Sequence, residues 1–336
     1  MKINNILFIG TGAWGTAIAN LLASNPNNNV KMWGIDKNEV DAINKGKNPQ
    51  YFKSLRISRK IHATLKISEC SNNNDYIFLS VPSKVLKETT KMIVNEINNS
   101  PTFVNLAKGL DKDTNDVWSI SLKKIIKKCE SSLVTLSGPS FAIDVVKKKP
   151  TTVDVVSENI KDAINIIKIF SHSTYFKVFP LTDEIGVQLC GALKNLLAIG
   201  TGIAKENHSS INTISSILTQ GISEIRKLIC LRGGYEDTIM GLSGIGDIFL
   251  TCTSNQSRNF SFGRELFKKG FKIIKNKKTN TIEGYSVFPI VESIIKKNNL
   301  KLPVLESICE VLSQKISPRD FVKFSISKMG LFERNE

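Results

Sequence analysis

One lysine interrupts a helical pattern, residues 183–204, that is otherwise nearly free of charge beyond its first turn. The residues three and four positions to either side of Lys194 are apolar or small, so the periodicity predicts that its amine lies on an apolar helix face. Loss of water around an ammonium group lowers its pKa, which suits an acid or base that works near neutral pH, and Gly191 leaves room for a ligand. The alternative is a lysine whose stem packs on the helix while its head reaches solvent.

A second chemical signature is a polar loop that ends in an arginine. The segments GLSGIGD (241–247) and SNQSRN (254–259) have the glycine, serine and asparagine content of connections between helices. Arg258, with Ser257 and Asn259 beside it, offers a planar fork of N–H donors that suits a phosphate group better than scattered lysines do. The alternative is a helix start whose arginine is simply solvated.

The glycine-rich turn GTGAWG (10–15) lies between a predicted strand, residues 3–9, and a predicted helix, residues 16–24. Gly10 permits a tight turn, Gly12 lets the backbone approach a pyrophosphate, and Gly15 lets the helix pack closely on the strand. A second strand follows at residues 30–34. This context predicts a dinucleotide site, and the alternative is a glycine turn without a ligand.

Asp36 follows the second strand, about twenty residues past the glycines, where an acidic side chain commonly binds the ribose of NAD. It can instead cap the next helix. No arginine marks a pocket for a 2′-phosphate, although Lys37 could be a weaker substitute. The choice between NAD and NADP stays open, with NAD favoured.

The elements that must position these groups fall into two sets. Strands are predicted at 76–81, 102–107, 133–136, 151–157 and 174–179, with a helix at 158–170; helices are then predicted at 183–204, 211–231, 260–269, 287–298 and 303–313. Ligands of an open parallel sheet bind beyond the carboxyl ends of its strands, so Lys108 and the turn 137–140 are expected on the cofactor side; for Lys108 a surface position is the alternative. The prediction is an α/β protein: a Rossmann-like, mostly parallel sheet in residues 1–180 and an all-helical substrate domain in residues 181–336.

Composition agrees with two packed cores, because 336 residues exceed what one core usually supports. The net charge of +16 favours anionic partners, although the lysine runs, mixed with isoleucine and asparagine, fit solvated faces. Aromatic residues make up 7% and do not alternate with basic ones, which argues against nucleic-acid binding.

The six cysteines, at positions 70, 129, 190, 230, 252 and 309, have no zinc-like spacing and no histidine partners. We therefore expect no metal site and reduced thiols in a cytoplasm. The chain starts with a strand-like run instead of a signal sequence, and no uninterrupted apolar segment reaches membrane-spanning length, so neither secretion nor membrane insertion is predicted.

Together these motifs resemble NAD(P)-dependent glycerol-3-phosphate dehydrogenase of the bacterial type, over nearly the whole chain. The segments that carry the resemblance are GTGAWGTA (10–17), VPS (81–83), AKGL (107–110), SGPSFA (137–142), GVQLCGALKNLLAIGTG (186–202), GLSGIGD (241–247), LTCTSNQSRN (250–259) and IEGY (282–285).

The resemblance implies roles for individual residues. Catalytic roles fall on Lys194, Lys108 and Asp247. Substrate-binding roles fall on Lys108, Gly138, Ser140, Lys194, Asn195, Asp247, Thr251, Ser257, Arg258 and Asn259. Cofactor contacts fall on Gly10, Gly12, Ala13, Trp14, Gly15, Lys108, Ala142, Arg258, Ile282 and Glu283. The resemblance also implies a cytoplasmic homodimer that supplies sn-glycerol 3-phosphate for phospholipid synthesis.

Departures from the family pattern at Ala13, Ile35 and Ser286 argue against a strong preference for NADPH. Two other functions fit parts of the sequence. Reductases of hydroxy acids or ketopantoate also combine a Rossmann domain with a helical domain and a mid-helix lysine, and a phosphate clamp at Arg258 would exclude them. The charge of +16 and the glycine turn are compatible with a non-enzymatic nucleotide-binding or nucleic-acid-binding protein, against which the sparse aromatics argue.

Overall fold

The computed structural model describes residues 3–275 and 282–329. The chain forms two compact units. One contains the residues up to Ala107 together with Trp118–Glu184, and the other contains Lys108–Val117 together with the residues from Ile185 onward. The segment Lys108–Val117 thus belongs with the second unit, although the chain on both sides of it belongs to the first. The domain boundary at residue 180 stays a prediction.

The described residues form ten strands and fifteen α-helices. The strands are β1 Asn4–Ile9, β2 Asn28–Trp33, β3 His62–Thr64, β4 Tyr76–Leu79, β5 Thr102–Asn105, β6 Leu110–Asp111, β7 Asp116–Val117, β8 Leu133–Ser137, β9 Thr151–Val156 and β10 Phe176–Leu181. The helices are α1 Ala13–Leu22, α2 Lys37–Asn44, α3 Pro49–Phe52, α4 Ser83–Glu96, α5 Trp118–Ile126, α6 Ala142–Val146, α7 Ile160–Phe170, α8 Glu184–Glu206, α9 Ile211–Leu231, α10 Asp247–Thr253, α11 Arg258–Lys269, α12 Lys272–Lys275, α13 Glu283–Lys297, α14 Pro303–Leu312 and α15 Phe321–Lys328.

The first unit is built on a sheet with the strand order β10-β9-β8-β5-β4-β1-β2-β3. Neighbouring strands are parallel except β8 and β9, which are antiparallel. Successive residues of β1 enter different apolar clusters, Ile6 and Phe8 one and Leu7 and Ile9 the other, so both faces of the sheet are covered. The predicted mostly parallel, Rossmann-like sheet is confirmed.

The structure differs from the predicted strands in three ways. The strand β3 was not predicted, because its three residues are too short for a periodic pattern. The antiparallel pairing of β9 with β8 was not predicted either. The last strand was expected to end before Pro180, yet β10 continues to Leu181 with Pro180 opposite Val155. Proline is tolerated there because β10 is an edge strand.

The described part of the second unit is helical apart from the hairpin of β6 and β7, so the expected helical half is confirmed. Helix α13 begins at Glu283, earlier than predicted, and contains Pro289. Helix α8 is buried from Gly186 to Ala204, as expected for a helix that is mostly apolar on every face.

The length and composition of α8 would also suffice to cross a membrane, the one helix in the described residues for which this holds. This helix is not an uninterrupted apolar segment, because Lys194 and Asn195 lie in its middle. Its whole apolar window is buried inside the protein, which is typical of a core helix.

Candidate active site

Lys194 lies in the middle of α8 and is only 5% exposed. Its Nζ donates hydrogen bonds to Oδ1 of Asp247 at 2.5 Å and to Oγ1 of Thr251 at 2.9 Å. Asp247 and Thr251 are four positions apart on α10, so one face of that helix presents both to the amine. The amine is buried and paired, which excludes the interpretation in which it reaches solvent.

The sequence GLSGIGD delivers Asp247 to this position through an irregular turn. Residues Leu242–Gly246 form a π-type turn, and Gly244 departs from helical geometry with φ −88° and ψ −113°. A Cβ at Gly244 would lie 2.0 Å from the carbonyl oxygen of Ile239, so only glycine fits. The chain then enters α10 with Asp247 as its first residue, 1% exposed. Single π turns of this kind are frequent at functional sites.

Lys108 contacts the other oxygen of the same carboxylate. Its Nζ donates to Oδ2 of Asp247 at 2.6 Å, with 21% of the side chain exposed. Each oxygen of Asp247 therefore binds one lysine amine, and the three side chains carry one net positive charge when both lysines are protonated. The alternative of a freely solvated Lys108 is excluded. The lysine precedes the hairpin of β6 and β7, which belongs to the same unit as α8 and α10.

Burial controls the ionisation of this cluster. Burial lowers the pKa of Lys194 to about 7; the attraction of Asp247 opposes that shift, and the repulsion of Lys108 adds to it. For Asp247, burial raises the pKa, but the two ammonium groups together outweigh it, so the pKa of this carboxyl lies below its usual value. An amine with a pKa near neutrality is present in both protonation states at physiological pH and can give or take a proton.

The thiol beside this cluster does not compete for the chemistry. The Sγ of Cys252 donates to the carbonyl oxygen of Lys194 at 3.8 Å, and burial raises the pKa of Cys252 to about 12. A thiol with that pKa stays protonated near neutral pH and is a poor nucleophile.

Asn195 is held by a chain of amide hydrogen bonds. Nδ2 of Asn259 donates to Oδ1 of Asn195 at 2.9 Å, and the backbone N–H of Gly284 donates to Oδ1 of Asn259 at 2.9 Å. Asn195 and Asn259 are buried, at 5% and 7% exposure. The bonds join α8, α11 and the start of α13, so Asn259 connects three segments in addition to any role with substrate.

Close helix contacts make that chain of bonds possible. A Cβ at Gly263 of α11 would lie 2.1 Å from the carbonyl oxygen of Ile199, and a Cβ at Gly202 of α8 would lie 2.1 Å from that of Phe260. The two backbones therefore approach through glycine on both sides, which fixes Asn259 beside Asn195.

The predicted phosphate clamp sits at the start of α11. Ser257 is the N-cap, and its side chain accepts a hydrogen bond from the N–H of Phe260 at 3.2 Å. Arg258 is the first helical residue and is exposed. The loop before it is fastened by Arg264, which donates to Oδ1 of Asn255 at 2.8 Å. The geometry is that of a helix start with an accessible arginine, and the clamp stays a prediction.

The glycine-rich turn lies in the first unit, at the carboxyl end of β1. Gly10 has φ +109°, and a Cβ there would lie 2.9 Å from the carbonyl oxygen of Ser80. A Cβ at Gly15 would lie 2.4 Å from Oγ of Ser80, whose hydroxyl donates to the carbonyl of Ile9 at 2.8 Å. Ser80, which directly follows β4, thus explains why positions 10 and 15 require glycine. This role of Ser80 was not predicted from the sequence.

The N-terminus of α1 fits the diphosphate of a dinucleotide. Gly12 is its N-cap, no described side chain caps it, and its first turn contains no acidic residue. The first backbone N–H groups of a helix need acceptors and attract anions. Ala13 and Trp14 begin the helix, and Nε1 of Trp14 is buried without a hydrogen-bond partner among the described residues.

Asp36 caps α2. Its Oδ1 accepts from the N–H groups of Asn38 at 2.7 Å and Glu39 at 3.1 Å, so the capping interpretation is the observed one. A contact of Asp36 with ribose stays a prediction. Ile35 beside it is 85% exposed, an unusual position for an apolar side chain.

The remaining predicted site residues lie at element ends. Gly138 follows β8 with φ +130°, and a Cβ there would lie 3.0 Å from Cα of Val153. Oγ of Ser140 donates to the carbonyl of Gly138 at 3.0 Å. Ala142 begins α6, Ile282 is the buried N-cap of α13, and Glu283 is that helix's first residue. Their binding roles stay predictions.

A metal centre finds no support in the residues that the structure describes. They contain no group of three or more histidine, cysteine, aspartate or glutamate side chains that could hold an ion.

Comparison with known proteins adds a family likeness. The family model of NAD-dependent glycerol-3-phosphate dehydrogenase, N-terminus, matches residues 5–163, and the model of its C-terminus matches residues 183–323. The NAD(P)+ glycerol-3-phosphate dehydrogenase of Malacoplasma penetrans is 42% identical to this chain over 325 residues. The match covers 95% of this chain and 95% of that protein. The corresponding protein of Mycoplasma mobile is 35% identical over 322 residues, with 95% of both chains covered. The solved structure of glycerol-3-phosphate dehydrogenase from Coxiella burnetii gives a TM-score of 0.86 at 29% identity and covers 96% of this chain and 98% of its own.

Proposed function

This chain belongs to the family of NAD(P)-dependent glycerol-3-phosphate dehydrogenases, and we propose that it interconverts dihydroxyacetone phosphate and sn-glycerol 3-phosphate with Lys194 as general acid and base. It is an oxidoreductase that uses NAD or NADP. The observation that carries the catalytic proposal is the buried cluster in which Asp247 and Thr251 hold the amine of Lys194.

When bound, the reduced nicotinamide supplies the hydride that reaches the carbonyl carbon of the substrate. Negative charge then grows on the carbonyl oxygen, and the ammonium group of Lys194 donates a proton to it. The charge of Lys108 stabilises the developing oxyanion. In the opposite direction, neutral Lys194 removes the hydroxyl proton. Its pKa, lowered to about 7 mainly by burial, serves both directions.

Asp247 and Thr251 act on Lys194 and do not exchange protons with substrate in this proposal. Asp247 keeps both amines in place with one contact to each oxygen, at 2.5 Å and 2.6 Å. The hydroxyl of Thr251 directs the amine from a second side at 2.9 Å. Two fixed acceptors leave the third N–H of the ammonium group for the substrate oxygen.

Arg258 is proposed to bind the phosphate of the substrate. It is exposed at the first position of α11, where a guanidinium fork and the first N–H groups of the helix suit a phosphate. Asn259, which follows Arg258 in the sequence, and Asn195, which accepts a hydrogen bond from Asn259, are both buried and are proposed to orient the three-carbon chain. With such a clamp the enzyme is expected to select against unphosphorylated 2-keto acids.

The sequence also leads us to propose a cofactor preference, a cellular compartment and an oligomeric state. We propose that the enzyme favours NAD, supported by the acidic Asp36 and the lack of an arginine after β2. We also propose that it is a cytoplasmic homodimer, without nucleic-acid or membrane partners, whose product enters phospholipid synthesis. Oxidation of NADH and NADPH, assayed separately, tests the preference for cofactor.

The variant Lys194→Met tests the proton transfer, because methionine keeps the apolar stem and loses the ionisable group. We expect kcat for reduction of dihydroxyacetone phosphate to fall ~100-fold or more, with the affinity for NADH unchanged. The matched control is Lys205→Met, which removes an exposed lysine of the same helix and should leave kcat unaltered. Near-normal turnover of Lys194→Met would contradict the assignment, and equal activity on a 2-keto acid without phosphate would contradict the substrate.

A further inference from the structure

Asn48 lies outside every motif of the sequence, just before α3, and is completely buried at 0% exposure. Its Nδ2 donates to the carbonyl oxygen of Thr11 at 3.0 Å and to Oγ1 of Thr16 at 3.1 Å. The hydroxyl of Thr16 donates to the same carbonyl at 3.0 Å. Two side-chain donors therefore converge on one carbonyl of the glycine-rich turn.

That carbonyl belongs to the peptide group between Thr11 and Gly12. In a trans peptide the C=O and N–H bonds point in opposite directions. Holding the oxygen of Thr11 toward Asn48 and Thr16 therefore directs the N–H of Gly12 away from them. Gly12 is the N-cap of α1, and N–H groups at a helix N-terminus are the donors that a diphosphate accepts.

This peptide needs such a brace because of its own sequence. Gly12 has no Cβ and can adopt positive as well as negative φ, so sterics alone do not prevent rotation of the peptide group. The residue on the other side is held as well: the hydroxyl of Thr11 donates to Oε2 of Glu39, and a Cβ at Gly34 would lie 2.6 Å from Cγ2 of Thr11. Packing fixes the side chain of Thr11, and Asn48 with Thr16 fixes its carbonyl.

The amide of Asn48 is also energetically unfavourable in one respect, so packing alone does not explain its presence at this position. Oδ1 of Asn48 is buried without a hydrogen-bond partner in the part of the chain that the structure describes. An unsatisfied buried oxygen destabilises a fold. The opposite amide orientation would bring this oxygen against the carbonyl of Thr11, so the donors must face the turn.

We propose that Asn48 is a positioning residue for the cofactor: with Thr16 it locks the peptide between Thr11 and Gly12 in the orientation that presents the N–H of Gly12 to the diphosphate. The proposal rests on dinucleotide binding and not on the identity of the substrate. Loss of Asn48 should therefore weaken every ligand that contains the adenosine diphosphate moiety.

Direct binding of NADH and of ADP-ribose to purified Asn48→Ala tests this. ADP-ribose lacks the nicotinamide, so a loss shared by both ligands locates the effect in the diphosphate part. We expect Kd for both to rise about tenfold, while kcat and the KM for dihydroxyacetone phosphate at saturating NADH stay within about twofold. Because binding is measured without substrate, the result stands even if the proposed reaction fails.

Asn44→Ala is the matched control. Asn44 bridges α2 to β3 with two hydrogen bonds to the backbone of Ala63, at 2.9 Å and 2.8 Å, and does not contact the turn. Its loss should lower the melting temperature and leave the Kd for NADH unaltered. An equal rise in Kd for Asn44→Ala would show that any local destabilisation has the same effect, and would overturn the proposal.

Thr16→Val provides a second route if Asn48→Ala does not fold. Valine keeps the shape of threonine and removes the other donor to the carbonyl of Thr11. We expect Kd for NADH and ADP-ribose to rise about threefold or more, with kcat retained. An unchanged Kd in the folded variants would refute the role of the brace.

Discussion

Asp247 shows how one carboxylate can hold two amines in place and raise the pKa of one of them, Lys194. Its negative charge raises the pKa of Lys194 against the effect of burial, and its two oxygens keep Lys194 and Lys108 close in spite of their repulsion. Breaking a buried charge pair by removing one partner is strongly unfavourable. The carboxylate therefore keeps Lys194 able to hold a proton near neutral pH.

The variant Asp247→Asn should shift the pH dependence of the reaction. Without the attraction of Asp247 the pKa of Lys194 falls further, so the neutral amine dominates at pH 7 and the proton donor is lost. We expect kcat for ketone reduction at pH 7.5 to fall at least about tenfold, and its decline with rising pH to begin at lower pH.

A kcat profile between pH 5.5 and 9 measures this shift. Asp237→Asn, at an exposed aspartate of the same unit, is the control and should keep the wild-type profile. A profile of Asp247→Asn that is unchanged, or displaced to higher pH, would show that Asp247 does not tune Lys194.

Some site residues could be predicted from a local sequence motif, and others depend on contacts between residues that are far apart in the sequence. Lys194, Lys108, Asp247 and Thr251 stand in local motifs, and the structure brings these four together. The bond between Asn195 and Asn259, and the role of Asn48, could not be predicted. They depend on hydrogen bonds between side chains far apart in sequence, which no local period or spacing encodes.

At the scale of elements, long periodic segments were predicted well and short ones were not. Helix α9 was predicted with its observed bounds, residues 211–231, since a long amphipathic pattern identifies it. The hairpin of β6 and β7 has two residues in each strand, too few for a pattern. Helix α11 begins at Arg258 and not at residue 260, because its cap is Ser257.

A buried carboxylate joins two of these helices. Glu224 of α9 is 0% exposed, and its oxygens accept from the N–H groups of Val304 at 2.9 Å and Leu305 at 2.8 Å, at the start of α14. Nε2 of Gln220 donates to it at 3.0 Å. Glu224 therefore caps α14 from a neighbouring helix. Burial raises its pKa to about 7, against the effect of these hydrogen bonds.

The raised pKa predicts how stability changes with pH. The folded state favours protonated Glu224, so this contribution is complete below the usual carboxyl pKa of 4.5 and is lost as pH rises through about 7. In Glu224→Gln the side chain cannot ionise. Between pH 5 and pH 8 the free energy of unfolding of the wild type should therefore decrease relative to the variant, by up to about 3 kcal/mol.

Urea unfolding at both pH values measures that difference. Glu265→Gln, at a partly exposed glutamate of α11, is the control and should follow the wild type. If wild type and Glu224→Gln lose stability in parallel as pH rises, Glu224 does not carry the effect.

For the whole molecule, composition predicted a folded protein with two packed cores. It could not predict which of the basic residues lie in solvent and which form ion pairs. The excess of 46 basic over 30 acidic residues includes solvated lysines, such as the exposed run 147–149. It also includes Lys123, which pairs with Glu158 at 2.7 Å and with Glu184 at 2.6 Å. A count of charges predicts a preference for anions, but only the fold separates the lysines held in ion pairs from the lysines exposed to solvent.

The mostly parallel sheet and the helical half could be predicted, because the hydrophobic period identifies each strand or helix locally. The order of these elements along the chain then indicates the fold class. The grouping of Lys108–Val117 with the second unit could not, since it depends on contacts with chain far away in sequence. That grouping is what brings Lys108 to Asp247.

The proposed proton transfer requires that the amine of Lys194 changes its protonation near neutral pH. An NMR titration of the enzyme with 13C-labelled lysine measures this directly from the Cε signal of Lys194, assigned by its absence in Lys194→Met. We expect a midpoint near pH 7 for that signal. A midpoint at the ordinary lysine value of 10.5 would contradict it.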